Sequence, residues 1–254
     1  MKKDLISIKD LSVSEIREIF SLTEGLKRNA AKYSKELRGK TLALIFQKPS
    51  NRTRVSFAVG MFQLGGQSIY LGPNEISLGV RETVRDVGKT LERYVDGIVL
   101  RTFEHKNVLE LAEHTRIPVI NGLSDLLHPC QALADIYTIK ERLGTISGKL
   151  LAYVGDGNNV VHSLIYGCSK IGLNLNIATP SKFEPNKDIL KEAQGFALKS
   201  GAEINLTHEP EQACKGADVI YTDVWVSMGH EEETKMRKKI FKSFQVNKDL
   251  LSQA

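Results

Sequence analysis

Between Ser50 and Arg54 the sequence gathers two hydroxyls and two guanidinium groups within five residues: Ser50, Thr53, Arg52 and Arg54. All four side chains donate hydrogen bonds, and the arginines add permanent positive charge in a planar fork that matches oxyanions. The natural guest is a phosphate. A plainer reading makes Ser50 an ordinary helix N-cap and the arginines a solvated face. Arg101, in Arg101-Thr102-Phe103-Glu104-His105, and His128, in His128-Pro129-Cys130-Gln131, are further groups able to do chemistry. Taken singly, Arg101 suits a surface, and a histidine before a proline is more often structural than catalytic. Beside an anion loop both gain weight. Later in the chain Asn159 and Asp223 stand at corresponding places, with a helix cap or a turn as the plain reading of the aspartate.

The elements around these residues decide whether they can converge. Thr41 to Phe46 is a short β-prone apolar run bounded by a proline, the pattern of a buried strand. After Pro49 the period changes: Val55, Val59 and Phe62 recur at helical spacing. Ser50 to Arg54 then form the first turn of a helix, where unpaired N–H groups and the positive dipole end attract anions. Ser12 and Glu15 make a capping-box pattern ahead of an amphipathic helix from Val13 to Lys27. Beyond the anion loop the sequence predicts a helix closed by Gly65-Gly66, a strand at Ser68 to Tyr70 and a loop from Leu71 to Gly79. A helix from about Arg81 follows, with Val84, Val87, Leu91 and Tyr94 on one face. Strands at Gly97 to Leu100 and Ile117 to Ile120 flank a helix around Val108 to Ala112.

Pro129 suits the first turn of a helix reaching Leu143, which sets His128 at its mouth and Gln131 inside the turn. Gly144 to Gly148 is a joint, after which the alternation restarts. A strand at Leu150 to Val154 leads through a turn at Gly155 to Asn159 into a helix. Strands at Asn174 to Ala178, Glu203 to Leu206 and Val219 to Tyr221 are separated by helices at about Asn186 to Lys199 and Pro210 to Lys215. This alternation predicts an α/β fold: two doubly wound parallel-sheet domains, residues 1–143 and 144–254, joined by the bridging helix Pro129 to Leu143. Ligands of such sheets sit outside the carboxyl ends of the strands, where the Ser50 loop, Arg101, the loop into His128, Asn159 and Asp223 all fall.

The 254 residues suffice for two modest α/β domains, and 41% hydrophobic content is ordinary for a soluble globular protein. No apolar run approaches the roughly 20 residues of a membrane span. Met1-Lys2-Lys3-Asp4 leads into a polar segment without a signal-peptide core, so the expectation is a cytoplasmic protein with no membrane partner. Cys130, Cys168 and Cys214 are odd in number, far apart and without a second Cys or His at zinc spacing, which suits reduced thiols and no metal site. The net charge of +5 is spread along the chain and interleaved with Asp and Glu, so no nucleic-acid partner is expected. Gly155-Asp156-Gly157 after a strand invites a dinucleotide reading. Val160 stands where the third glycine is needed, and no acidic residue ends the next strand, so a nicotinamide enzyme is not the leading reading.

The run Ser50-Asn51-Arg52-Thr53-Arg54 resembles the Ser-Thr-Arg-Thr-Arg carbamoyl phosphate loop of the aspartate and ornithine carbamoyltransferases, with Asn51 in place of the usual first threonine. His128-Pro129-Cys130-Gln131-Ala132-Leu133-Ala134-Asp135 is similar to the second signature of that family in its ornithine form; aspartate enzymes more typically carry threonine where Cys130 stands. Asp156-Gly157-Asn158-Asn159 and Asp223-Val224-Trp225-Val226-Ser227-Met228-Gly229 resemble the ornithine-site signatures. The four motifs keep the family's order and spacing along the whole chain.

The resemblance implies a first domain that binds carbamoyl phosphate, a second that binds L-ornithine, and carbamoyl transfer giving L-citrulline and phosphate, a step of the arginine-biosynthesis or urea-cycle type, with no cofactor and no metal. It implies that Ser50, Asn51, Arg52 and Thr53 hold the phosphate and that Arg101 and His128 are catalytic, facing the carbonyl oxygen. Pro129, Cys130 and Gln131 would complete the carbamoyl phosphate site, Gln131 at the carbamoyl amide. Asn159, Asp223, Ser227 and Met228 would anchor ornithine, Asp223 pairing with its ammonium. It also implies a homo-oligomer, a trimer or a multiple of trimers, in which a neighbouring subunit completes the phosphate site.

The chain departs from the pattern in two places. Many relatives carry a glutamine, in the loop after the residue matching Tyr70, that reaches carbamoyl phosphate across the subunit boundary; the best-aligned position here is Ser77, whose shorter side chain cannot span that distance. Family members continue past the position of Ala254 with a stretch that includes a His-Cys-Leu-Pro motif. The second domain is therefore expected to be incomplete, and ornithine turnover by these residues poor. Two other readings stay open: a non-catalytic homologue that keeps the carbamoyl phosphate site, and a carbamoyltransferase for aspartate, putrescine or acetylornithine.

Overall fold

A computed structural model describes residues 3–226 and 231–254. Packing divides the chain into two compact units, Met1–Cys130 and Gln131–Ala254. The sequence places the division later, after Leu143.

In the first unit α1 (Val13–Arg28) opens with the capping box that the sequence predicts: Ser12 Oγ accepts the Glu15 N–H at 3.2 Å and Glu15 Oε2 accepts the Ser12 N–H at 2.7 Å. β1 (Thr41–Phe46), α2 (Asn51–Gln63), β2 (Gln67–Leu71), α3 (Pro73–Ile76), α4 (Val84–Leu91), β3 (Gly97–Arg101), α5 (His105–His114) and β4 (Val119–Leu123) follow. The sheet is parallel throughout, in the order β2-β1-β3-β4. β1 is buried on both faces. Ala43 and Ile45 join one core with Ile98, Leu100, Val108 and Leu111, whereas Leu42, Leu44 and Phe46 join Met61 and Val99 on the other. A strand with two dry faces reads as a continuous apolar run, which is why Thr41 to Phe46 shows no alternation.

The second unit takes up α6 (Pro129–Leu143) from Gln131 onward and continues through β5 (Leu150–Val154), α7 (Asn159–Ile171), β6 (Asn174–Ala178), α8 (Lys187–Ser200), β7 (Ile204–Thr207), α9 (Pro210–Cys214), β8 (Val219–Thr222), α10 (Thr234–Ile240) and α11 (Lys248–Leu251). Its parallel sheet runs β7-β6-β5-β8. In each sheet the first strand of the unit is internal, so the chain reverses its winding beside β1 and again beside β5. The crevices at the carboxyl ends of β1 and β3, and of β5 and β8, are the switch points where doubly wound sheets take ligands. None of the described helices is long and apolar enough to cross a membrane.

Three local expectations are corrected. Leu71 to Gly79 is not all loop: Pro73 at the first helical position, with the Glu75 carboxylate accepting the Gly72 N–H, winds a single helical turn. α4 starts at Val84, where Thr83 caps it, and ends at Leu91, so Tyr94 lies beyond the helix and is 78% exposed. α2 forms where the spacing of Val55, Val59 and Phe62 predicts, yet those three point outward, and Phe57, Ala58 and Met61 face the sheet. The helix carries two apolar stripes, and packing selects one.

Gly157 marks a close backbone approach. A Cβ there would lie 2.4 Å from the Glu184 carbonyl carbon and 2.5 Å from both the Phe183 carbonyl oxygen and the Pro185 nitrogen. Gly157→Ala is expected to destabilise the second unit by about 1–3 kcal/mol, seen as a lower urea midpoint, because all three obstacles are main chain. An unchanged midpoint would show that residues 183–185 yield freely.

Candidate active site

Ser50 is the N-cap of α2: its backbone is extended and its Oγ accepts the Thr53 N–H at 3.2 Å. Capping uses the hydroxyl oxygen as an acceptor and leaves the O–H able to donate, so the cap and anion readings coexist. Asn51 and Arg52 are exposed and Thr53 is half-buried. Arg54 goes elsewhere, its guanidinium carbon 3.7 Å from the centre of the Tyr70 ring in a cation–π contact. The Tyr70 ring covers one face of that guanidinium and thereby fixes its plane.

β3 ends at Arg101, opposite Phe46 of β1, and the β3–β4 register shifts between Leu100 and Arg101. An irregularity of this kind re-aims the residue beside it. Arg101 Nη1 donates to Thr53 Oγ1 at 3.3 Å, so the end of β3 meets the first turn of α2 at the switch point. Arg101 is 5% exposed, and its Nε is buried with no hydrogen-bond partner among the described residues. Burial, and then the nearby charge of Arg52, weaken its hold on its proton. A guanidinium stays charged regardless, so the crevice contains a desolvated cation with a spare donor beside a second cation, an arrangement that a phosphate dianion would neutralise.

His128 precedes α6. Burial, with the Arg101 charge adding to it, pushes its pKa down to about 4, so the imidazole is neutral at pH 7. Pro129 opens the helix as predicted. The Cys130 thiol donates to the Asn121 carbonyl at 3.5 Å, and burial pushes its pKa up to about 12; it fastens the helix start to β4 as a thiol. Gln131 is exposed, its Nε2 donating to Asp135 Oδ1 at 2.9 Å. Ser77 ends α3 in the left-handed region (φ 43°, ψ 50°), and its hydroxyl donates back to the Pro73 carbonyl at 3.3 Å.

In the second unit Asn159 is the first residue of α7, and Asn158 is its N-cap. Asn158 Oδ1 accepts the Val160 and Val161 N–H groups at 3.0 and 3.2 Å, and its Nδ2 donates to Asp223 Oδ2 at 2.9 Å. The turn after β5 is thereby joined to the end of β8. Ser227 and Met228 lie outside the described residues.

Residues 3–141 match the carbamoyl-P binding domain of the aspartate/ornithine carbamoyltransferases, and residues 147–254 match their Asp/Orn binding domain. The chain belongs to the aspartate/ornithine carbamoyltransferase family. It is 50% identical over 254 residues to an ornithine carbamoyltransferase of Thermococcus kodakarensis, covering 99% of this chain and 81% of that protein. An anabolic ornithine carbamoyltransferase of Pyrococcus furiosus is likewise 50% identical over the same shares of the two chains. The solved structure of the ornithine carbamoyltransferase from Pyrococcus furiosus matches with a TM-score of 0.95 at 49% identity, covering 99% of this chain and 81% of that one.

Reading the carbamoyltransferase motifs from sequence misses three residues that the structure brings to the second crevice. The motif points to Asn159, whereas Asn158 carries the cap signal of an asparagine directly before a helical run. Asp156 and Arg237 form a buried ion pair, Nη1 to Oδ2 at 2.7 Å. Arg237 also donates from Nε to Glu233 Oε2 at 2.7 Å and from Nη1 to the Trp225 carbonyl at 3.2 Å. One guanidinium thus holds the turn after β5 together with residues on both sides of 227–230 in the sequence. Nothing local in Arg237 announces this.

Proposed function

We propose that the chain transfers the carbamoyl group of carbamoyl phosphate to the δ-amine of L-ornithine, giving L-citrulline and phosphate. The observation that carries the reading is Arg101, a buried cation whose Nε has no hydrogen-bond partner among the described residues, hydrogen-bonded to Thr53 at the mouth of α2 and close enough for its charge to lower the pKa of His128. In this reading Ser50, Asn51, Arg52 and Thr53 take the phosphate with the first N–H groups of α2. The neutral δ-amine attacks the carbonyl carbon, negative charge grows on the carbonyl oxygen, and phosphate departs with the C–O electron pair and takes up the proton that the amine gives up. Arg101 and His128 face that oxygen, His128 as a neutral donor, and the rate comes from positioning and from charge stabilisation that needs no rearrangement. Pro129, Cys130 and Gln131 set the carbamoyl end, Gln131 at the amide.

Asn159, Asp223, Ser227 and Met228 anchor ornithine in the same proposal, with Asp223 on the α-ammonium. Support comes from the hydrogen bond that holds the Asp223 carboxylate at 2.9 Å from Asn158 Nδ2, and from relatives that bear the name ornithine carbamoyltransferase. The two functional domains would divide near the end of α6, at residues 143 and 144. A trimer or a multiple of trimers in the cytoplasm belongs to the proposal, and the outward stripe of Val55, Val59 and Phe62, the last 79% exposed, supports association. The hydroxyl of Ser77, turned onto its own helix, gives no reason to assign it a part in a neighbour's site.

The test is citrulline formation from carbamoyl phosphate with L-ornithine, aspartate, putrescine or acetylornithine as competing amines. Citrulline as the main product is expected; carbamoyl phosphate binding without transfer to any amine would favour the non-catalytic alternative. Asp223→Asn is expected to raise the ornithine KM about tenfold or more, because a charge-assisted contact becomes neutral, with carbamoyl phosphate affinity unchanged. Equal loss for both substrates would make Asp223 a residue of the fold.

A further inference from the structure

Asp135 lies one helical turn after Gln131 on α6, and both of its carboxylate oxygens are engaged. Oδ1 accepts Gln131 Nε2 at 2.9 Å, and Oδ2 accepts the Tyr221 hydroxyl at 3.0 Å. Tyr221 belongs to β8, two residues before Asp223, and its ring stacks on that of Tyr153 with centroids 5.8 Å apart. Tyr153 is fully buried, and its hydroxyl donates to the Asp156 carbonyl at 2.8 Å. One carboxylate therefore ties the side chain of Gln131 to an aromatic pair anchored in the turn that leads to Asn158.

A carboxamide has two ends of the same shape and opposite character, so its function depends on which end faces the ligand. An ionised carboxylate only accepts. Asp135 Oδ1 takes the amide nitrogen of Gln131, and the carbonyl oxygen is the end left for a ligand. Burial raises the pKa of Asp135, and the Asp223 charge adds to this, while the hydrogen bonds from Gln131 and Tyr221 act in the opposite direction and favour the accepting form. The carbamoyl group ends in NH2, a donor, which a carbonyl oxygen matches and a reversed amide would oppose.

We infer that Asp135 orients the Gln131 amide so that its carbonyl reads the carbamoyl NH2, which makes Asp135 a positioning residue that selects carbamoyl phosphate over acyl phosphates lacking an N–H. This rests on the role proposed for Gln131. A site built to pair with a substrate N–H rejects the analogue without one, because the protein acceptor is then left unmatched.

The probes are phosphonoacetamide, a stable analogue that keeps the NH2, and phosphonoacetone, which differs by a methyl in its place. Binding of each to the 254-residue chain is measured by calorimetry. Asp135→Leu combined with Tyr221→Phe removes carboxylate and phenol together, so no buried polar orphan is left to unfold the chain. It is expected to weaken phosphonoacetamide about tenfold and to leave phosphonoacetone unchanged. Asp135→Asn, whose Oδ1 can still accept from Gln131, should return affinity to within about threefold of the parent. In a Gln131→Ala background the Asp135→Leu and Tyr221→Phe changes should have no further effect on phosphonoacetamide, since no amide remains to be oriented. Equal loss for both probes, or the same tenfold loss without Gln131, would overturn the inference and leave Asp135 a residue of the fold. Unchanged phosphonoacetamide affinity in Gln131→Ala alone would remove the role given to Gln131, and the inference with it.

Discussion

Arg101→Met is expected to lower the turnover number about 100- to 1000-fold while leaving the thermal midpoint unchanged or higher. The loss follows from where the guanidinium sits. It is buried at the end of β3, tied to Thr53 by one donor, with Nε unsatisfied among the described residues. A donor fixed in a dry crevice before the reaction stabilises charge on a carbonyl oxygen far more than one in water, and methionine supplies no donor. The stability side has the opposite sign. Burial and the neighbouring Arg52 charge already disfavour the cation, so the apo protein carries a desolvation cost that an unbranched apolar side chain of similar length relieves. Steady-state kinetics and a thermal scan on one preparation decide the matter. A large fall in the midpoint alongside the loss of activity would mean that Arg101 is structural, and retained turnover would remove it from the carbonyl.

Arg237→Met is expected to cost about 3–5 kcal/mol of stability, the usual penalty for removing one partner of a buried ion pair. Asp156 is 8% exposed and Arg237 7%, so the carboxylate cannot recover its lost partner from bulk water. Stacking of the guanidinium on Phe183, 4.9 Å from the ring centre, adds packing that methionine only partly replaces. Asp156→Asn in the same chain should restore much of the loss by discharging the buried site, a rescue that simple loss of packing would not show. Because Arg237 also grips the Trp225 carbonyl and Glu233, on either side of 227–230 in the sequence, the ornithine KM should rise and the carbamoyl phosphate KM stay unchanged. Chemical denaturation with substrate-resolved kinetics checks both halves. A loss below about 1 kcal/mol would place the pair in the class of solvent-screened ion pairs.

Much of this protein was legible in its sequence because the signals are local. The capping box at Ser12 and Glu15, the N-cap at Ser50 and the helix opened by Pro129 each depend on residues within one turn of each other, and the structure has all three. The apolar run of β1 reported its burial on both faces, and the strand–helix alternation reported two parallel sheets. The anion loop was readable for the same reason: its donors are contiguous, and the helix that aims them starts where they stand.

Tertiary structure alone decided which side chains meet. Val55, Val59 and Phe62 have the spacing of a buried face and lie outside, because a helix with two apolar stripes is oriented by the sheet beneath it. Arg52 and Arg54 are equivalent by composition, and a ring on the next strand claims one of them. The register shift at Arg101 depends on a neighbouring strand, so no property of its own segment records it. Asn158 meets Asp223 across 65 residues and Arg237 meets Asp156 across 81, separations over which periodicity carries no information. Local sequence determined the elements and the chemistry each could offer, whereas the pairings came from strands laid side by side in an order that reverses at β1 in the first unit and at β5 in the second, which sets distant loop ends at one crevice within each unit.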